Sequence, residues 1–197
     1  MEDVQLNIGN KLKDLRESKG HTGYQLAQKA GITEARLMAY EAGYATPTIA
    51  TLMKISQALG VGMGFFFQDQ SAPQKVEVVR ADQRRPMQHS EDSEEGEGIY
   101  YKYYTLSPTF PDTRIQPFFI EVDLVDAKTI QPAVHPGEEF IFVLEGIIEW
   151  HGPEDVHRLG AGDSIHYDSS IAHKIIGVGE KKPKVLSVVY QPPESGA

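Results

Sequence analysis

His135-Pro136-Gly137-Glu138-Glu139-Phe140, followed 34 residues after Glu139 by His173, supplies two imidazoles and a carboxylate that can converge on one divalent ion. Such a donor set suits metals that prefer nitrogen and oxygen, among them Fe, Zn, Mn and Ni. Three protein ligands also leave coordination positions open for a further molecule, as in non-heme Fe(II) sites. Pro136-Gly137 reads as a turn that delivers the first pair into an apolar strand at Phe140, and His173 lies just past a second strand at 162–167. The same three side chains would also serve as hydrogen-bonded polar groups at a barrel mouth, with no metal. On the residues alone both readings stay open.

Side chains so far apart in sequence need a rigid frame, and the chain divides into two kinds of pattern. Up to residue 68 apolar residues recur at helical spacing between cap signals. Ile8, Leu12 and Leu15 form one stripe, ending at Gly20. Thr22 can cap a second helix through Leu26 and Ala27 to Gly31, and Thr33 a third with Leu37, Met38 and Tyr40 inward, closed by Gly43. Thr48 begins a fourth with Ile49, Leu52, Met53, Ile55 and Leu59 on one side, and the apolar turn 63–67 packs as core or as a seam to the next domain.

Beyond a polar, proline-ended linker at 68–73, β-branched and aromatic runs alternate with turn signals. Strands are expected at 76–80, 100–106, 117–125, 139–144, 147–151, 164–167, 173–178 and 184–190. That many short strands without long helices between them imply a closed barrel or sandwich. The fold class is therefore α+β in two domains. Residues 1–68 form an all-α unit of about five helices, 69–98 a linker with a first strand and an acidic loop, and 99–197 an all-β unit.

Composition narrows the function. There is no cysteine, which excludes disulfides, thiolate metal sites and cysteine nucleophiles and fits a reducing cytoplasm. No apolar run approaches the ~20 residues of a membrane span, and the acidic start, Met1-Glu2-Asp3, does not read as a secretion signal. The net charge of -9 is unevenly spread: residues 1–62 balance at +1 and the remainder at -10. A nucleic-acid partner would have to meet the helical part, because the acidic remainder repels phosphate. No glycine-rich phosphate loop and no serine elbow is present, so nucleotide and hydrolase chemistry lack support.

The helical residues carry a resemblance. Ile8-Gly9 through Arg16, Leu26-Ala27, Ala30-Gly31-Ile32-Thr33, Tyr40-Glu41, Gly43, Pro47 and Leu52…Ile55…Ala58-Leu59-Gly60 are similar to the Xre/lambda-repressor helix-turn-helix domain. This implies a DNA operator as partner and a third helix in the major groove. Glu34, Ala35, Arg36 and Ala39 are then base-facing candidates, with Thr22 and Thr33 near phosphates; Arg36 could read guanine. Gly23, where such domains often carry Gln, and Tyr44-Ala45-Thr46, where Lys or Arg is common, depart from the pattern. A helix-turn-helix kept only as a packing module is the alternative.

The strand-rich part resembles the cupins, small double-stranded β-barrels, through 135–146 and Gly162-Asp163-Ser164…His173. Their first motif usually opens with two histidines; the first falls here on Ala133, so the implied metal set is His135, Glu139 and His173. The two-part architecture resembles bacterial helix-turn-helix regulators with a sensor cupin, and also the fosfomycin-forming iron-dependent epoxidase. Glu95 and Pro132 stand where that enzyme would hold a phosphonate, which favours the regulator over an Fe(II) oxidoreductase. The resemblance implies a homodimer or higher homo-oligomer and a small-molecule effector, and Tyr100 to Tyr103 resemble the tyrosine cluster of that enzyme's pocket. The expected effector pocket is Tyr101, Tyr103 and His166, the last of which solvation or hydrogen bonding would equally explain.

Overall fold

The computed structural model describes residues 8–67, 76–84, 86, 100–108, 110 and 113–192. Four helices come first: α1 (Ile8–Ser18), α2 (Gly23–Ala30), α3 (Glu34–Glu41) and α4 (Ile49–Ala58), then a 3-10 turn, Met63–Phe66. Three of the helix starts have a clear chemical cause. Thr22 and Gln25 form a reciprocal capping box at α2, and the Thr33 and Thr48 hydroxyls accept the Arg36 and Thr51 backbone N–H groups at α3 and α4. Gly31, at φ 67°, closes α2 in the left-handed conformation that glycine adopts without strain.

The helical core joins Leu12, Leu26, Leu37, Leu52 and Ile55, all inaccessible to solvent. Met38 does not join it and is 60% exposed, because it falls about 100° around α3 from the inward Leu37. Gly9 lets α1 cross α3 closely, since a Cβ there would lie 2.4 Å from the Tyr40 carbonyl oxygen. Arg16 fastens the same pair by a two-pronged bond to Glu41, Nε–Oε1 2.5 Å and Nη2–Oε2 2.8 Å.

The chain then builds eight strands: β1 (Tyr101–Thr105), β2 (Ile115–Val122), β3 (Glu138–Glu145), β4 (Ile147–His151), β5 (Val156–Gly160), β6 (Ser164–Asp168), β7 (Lys174–Val178) and β8 (Lys184–Tyr190). They form two antiparallel sheets, β1-β2-β8-β3-β6 and β5-β4-β7. Alternation sorts their side chains: Gln116, Phe118, Ile120 and Val122 of β2 and Glu139, Ile141 and Val143 of β3 point inward.

Two expectations change. Residues 77–80 form no strand, and Val76 and Val78 are exposed, since they meet no sheet face that could bury them. β5 is an addition to the expected strands, because Val156-His157-Arg158 is mostly solvated and carries little apolar signal; its pairing with β4 creates it. The expected linker at 68–73, the acidic loop at 90–98 and Glu95 lie outside the described residues.

The helices and the sheets share one continuous core. Phe67 meets Phe118 of β2 edge-to-face, with ring centroids 5.7 Å apart. Gln191, just past β8, is the polar tie. Its Oε1 accepts the Met63 backbone N–H at 2.8 Å, and its Nε2 donates to Ser56 Oγ at 3.2 Å and the Val61 carbonyl at 3.4 Å.

Candidate metal centre and effector cavity

Strand parity aims Glu139 inward from β3, and the ladder sets Tyr167 of β6 directly opposite it. The turn before β3 carries His135. Gly137 there has φ 112°, and a Cβ would lie 2.1 Å from the Tyr190 carbonyl oxygen, so glycine alone fits. His173 precedes β7 and is held by a two-way backbone bridge to Ala133: Ala133 N–H donates to His173 O at 2.7 Å, and His173 N–H to Ala133 O at 3.0 Å. Ala133, where a further imidazole would stand in the cupin pattern, thus contributes backbone to placing His173.

The three side chains converge, with ligand atoms within 4.8 Å of one another. His135 Nε2 is 2.8 Å and His173 Nε2 3.9 Å from Glu139 Oε1. The other ring nitrogens face backbone carbonyls: His173 Nδ1 is 2.8 Å from Ile171 O, and His135 Nδ1 3.5 Å from Pro136 O. Protons on Nδ1 would leave both Nε2 lone pairs turned to the centre, the tautomer that metal ligation needs. The Tyr167 hydroxyl donates to Glu139 Oε2 at 2.5 Å and orients the carboxylate. All three candidate ligands are buried.

With no ion between them, a proton on His135 Nε2 takes the place that a metal would fill. Burial pushes the Glu139 carboxyl up, but the hydrogen bond and charge of His135, the Tyr167 hydroxyl and His173 outweigh it, and its pKa falls below the ordinary value. Burial lowers the His173 pKa, favouring the neutral imidazole that can bind a metal. Tyr101, Tyr103 and Tyr167 are pushed up, chiefly by burial, and stay protonated. The residues therefore fit one divalent ion.

The triad floors a cavity of about 370 Å³. Tyr101 and Tyr103 line it, Tyr101 donating to the Ile175 carbonyl at 2.6 Å. His166 does not. It alternates outward from Tyr167, its side chain is 60% exposed, and it lies 2.9 Å from Glu138 on the outer face. The inward residue of β6 is Tyr167, and the run Ile165-His166-Tyr167 already carries the alternation that distinguishes them.

Known proteins match both halves. The Cupin domain family matches residues 121–190 and the Helix-turn-helix family residues 12–66. The HTH-type transcriptional regulator PuuR of Escherichia coli (strain K12) is 27% identical over 189 residues, 95% of this chain and 96% of PuuR. An HTH_3 family transcriptional regulator from Vibrio cholerae has a crystal structure that is 30% identical, covering 94% of this chain and 96% of its own, with a TM-score of 0.66. The chain belongs to the HTH_3 family of transcriptional regulators. The crystal structure of FeII HppE, 24% identical over 95% of the chain with a TM-score of 0.47, is too distant to bear on activity.

In this regulator Thr22 and Thr33 sit at the starts of α2 and α3, and Glu34, Ala35 and Met38 of α3 and Tyr24 of α2 are exposed. A side chain at Gly23 would approach Glu34 Oε1 to 3.1 Å, so the Glu34 carboxylate lies at the start of α2, where the helix dipole favours negative charge. Ala39 is half-buried. Arg36 departs from the expected group. Its Nε donates to the Tyr40 hydroxyl at 2.7 Å, and the side chain lines the cavity. No sequence signal announces this, nor that Lys54 of α4 lines the same cavity, because which helix residues meet the barrel is decided by tertiary packing. Among the described residues no helix is long and apolar enough to cross a membrane.

Proposed function

We propose that residues 1–68 read a two-fold DNA operator and that 99–197 bind a small-molecule effector, the segment 69–98 joining them. The face of Thr22, Thr33, Glu34 and Ala35 is the reading surface. A homodimer would present two such faces about one DNA turn, ~34 Å, apart. One divalent ion, Fe, Zn, Mn or Ni, would be held by His135, Glu139 and His173. When bound it would offer an effector oxygen a Lewis-acidic partner.

The observation that carries this reading is the pairing of a capped, outward α3 with a buried triad that opens into a cavity. An Fe(II) oxygenase would use the same triad, but the likenesses over the full chain that carry weight are to regulators. Site selection from random duplex DNA with the full-length protein tests it, together with Ala35→Asp. The added carboxylate suits the first turn of α3, so the fold is retained, while it repels phosphate and base acceptors. Operator affinity should drop by about tenfold or more, on the scale of one lost base contact. Failure to enrich any palindrome, or an unchanged gel shift for Ala35→Asp, would refute it.

A further inference from the structure

An antiparallel sheet with one solvated face alternates apolar residues inward and polar residues outward. Two adjacent strands of the larger sheet break that rule. Their inward residues fill the core, yet Leu186 and Val188 of β8 and Phe140, Phe142 and Leu144 of β3 point out. Register sets Leu186 opposite Phe142 and Val188 opposite Phe140. Phe140 is 36% and Leu144 43% exposed, and the other three are half-buried. Pro117 and Phe119 of β2 extend the patch, opposite Val188 and Leu186. The Arg84 guanidinium lies over the Phe119 ring, 4.6 Å from its centroid, which leaves the middle of the exposed patch on β8 and β3. Charges alternate along one end of the patch: Glu121, Lys184 and Glu145 are successive partners across β2, β8 and β3. Lys184 Nζ lies 3.0 Å from Glu145 Oε2. At the other end Tyr190 stands opposite Glu138.

We propose that a second copy of this chain covers this face, related by a two-fold axis that runs along the strands between β8 and β3. The proposal rests on the homodimer of the DNA-reading proposal and gives it an interface. Such an axis reverses strand order across the contact, so β8 of one protomer lies over β3 of its partner, with the sheets about 10 Å apart. Phe142 then meets the partner's Leu186, Phe140 the partner's Val188, Lys184 the partner's Glu145 and Tyr190 the partner's Glu138. Every apolar residue finds an apolar one, and no like charges stand opposite. A Lys–Glu pair that is complementary to its own reverse selects a copy of this chain over an unrelated partner. Four strands about 4.8 Å apart and up to about 26 Å long offer roughly 500 Å² per copy, about 1,000 Å² in all, which reaches the lower bound of a specific interface.

Sedimentation equilibrium of the full-length protein without DNA tests this. The wild type should be a dimer with Kd below about 10 μM. Phe140→Lys and Leu144→Lys, at positions where the monomer is open to solvent, should each raise that Kd by at least about tenfold, as for an anchor at the centre of an interface. Lys184→Glu should weaken the dimer by about tenfold, because four carboxylates then meet across the axis, and adding Glu145→Lys should restore it. Circular dichroism and thermal unfolding separate a lost contact from a lost fold. Should one lysine variant not fold, the other carries the test. A monomeric wild type, a dimer insensitive to the folded lysine variants, or a Lys184→Glu defect that Glu145→Lys leaves in place would overturn the proposal. With no DNA present these outcomes stand apart from operator selection, whose failure would strike the DNA-reading proposal alone.

Discussion

Tyr167 is the residue on which the triad's orientation depends. Its hydroxyl is the donor to Glu139 Oε2, which leaves Oε1 to face both imidazoles. Tyr167→Phe keeps the ring packed on Trp150, whose centroid is 5.1 Å away, and removes that donor. Chelator competition should then show metal affinity lower by about 10- to 100-fold, the usual effect of losing such an outer partner. His135→Ala should abolish stoichiometric metal in protein purified without chelator, measured by elemental analysis. Retention of one ion per chain would disprove the triad. His135, Glu139 and His173 are legible because motif spacing survives in one dimension. Tyr167 is readable only by counting parity along β6, and the place of Arg36 not at all, since its neighbour across the cavity arrives from a sheet that begins more than sixty residues later.

Elements are legible where their ends are made by local chemistry. Thr22, Thr33 and Thr48 cap the helices that their positions predict, because a side-chain oxygen and an N–H three residues on need no distant partner. Strands bounded by Gly or Pro and buried on one face are equally plain. β5 is hidden by its solvated face, and residues 76–80 carry strand-forming types without a sheet to join. The turn before β3 shows how an element constrains the site. Gly137→Ala places a Cβ against the Tyr190 carbonyl at φ 112° and must displace the turn that carries His135. Backbone strain and overpacking together should destabilise the protein by roughly 2–4 kcal/mol. Urea unfolding should show this as a lower midpoint, accompanied by weaker metal binding. An unchanged midpoint would mean that the turn is not held against β8.

At the scale of the whole molecule, two domains with separate tasks can influence each other only if some contact differs between their states. The candidate seam is small and specific: Phe67 on Phe118, and Gln191 satisfying the Met63 N–H while donating to Ser56 and Val61. α4, which supplies Ser56 to this seam, also brings Lys54 to the cavity, so a ligand bound there would meet the helix that carries the seam. Linkage requires reciprocity: whatever factor an effector applies to operator affinity, operator DNA applies to effector affinity. Gln191→Ala leaves the Met63 donor without that partner, a loss of about 1–3 kcal/mol, yet touches neither the triad nor the exposed face of α3. The variant should keep metal stoichiometry and intrinsic operator binding while the effector-dependent shift in operator affinity shrinks towards one. Fluorescence titration of labelled operator, with and without saturating ligand, reads both quantities. An undiminished shift in the folded variant would place the coupling outside this seam, on the cavity wall itself.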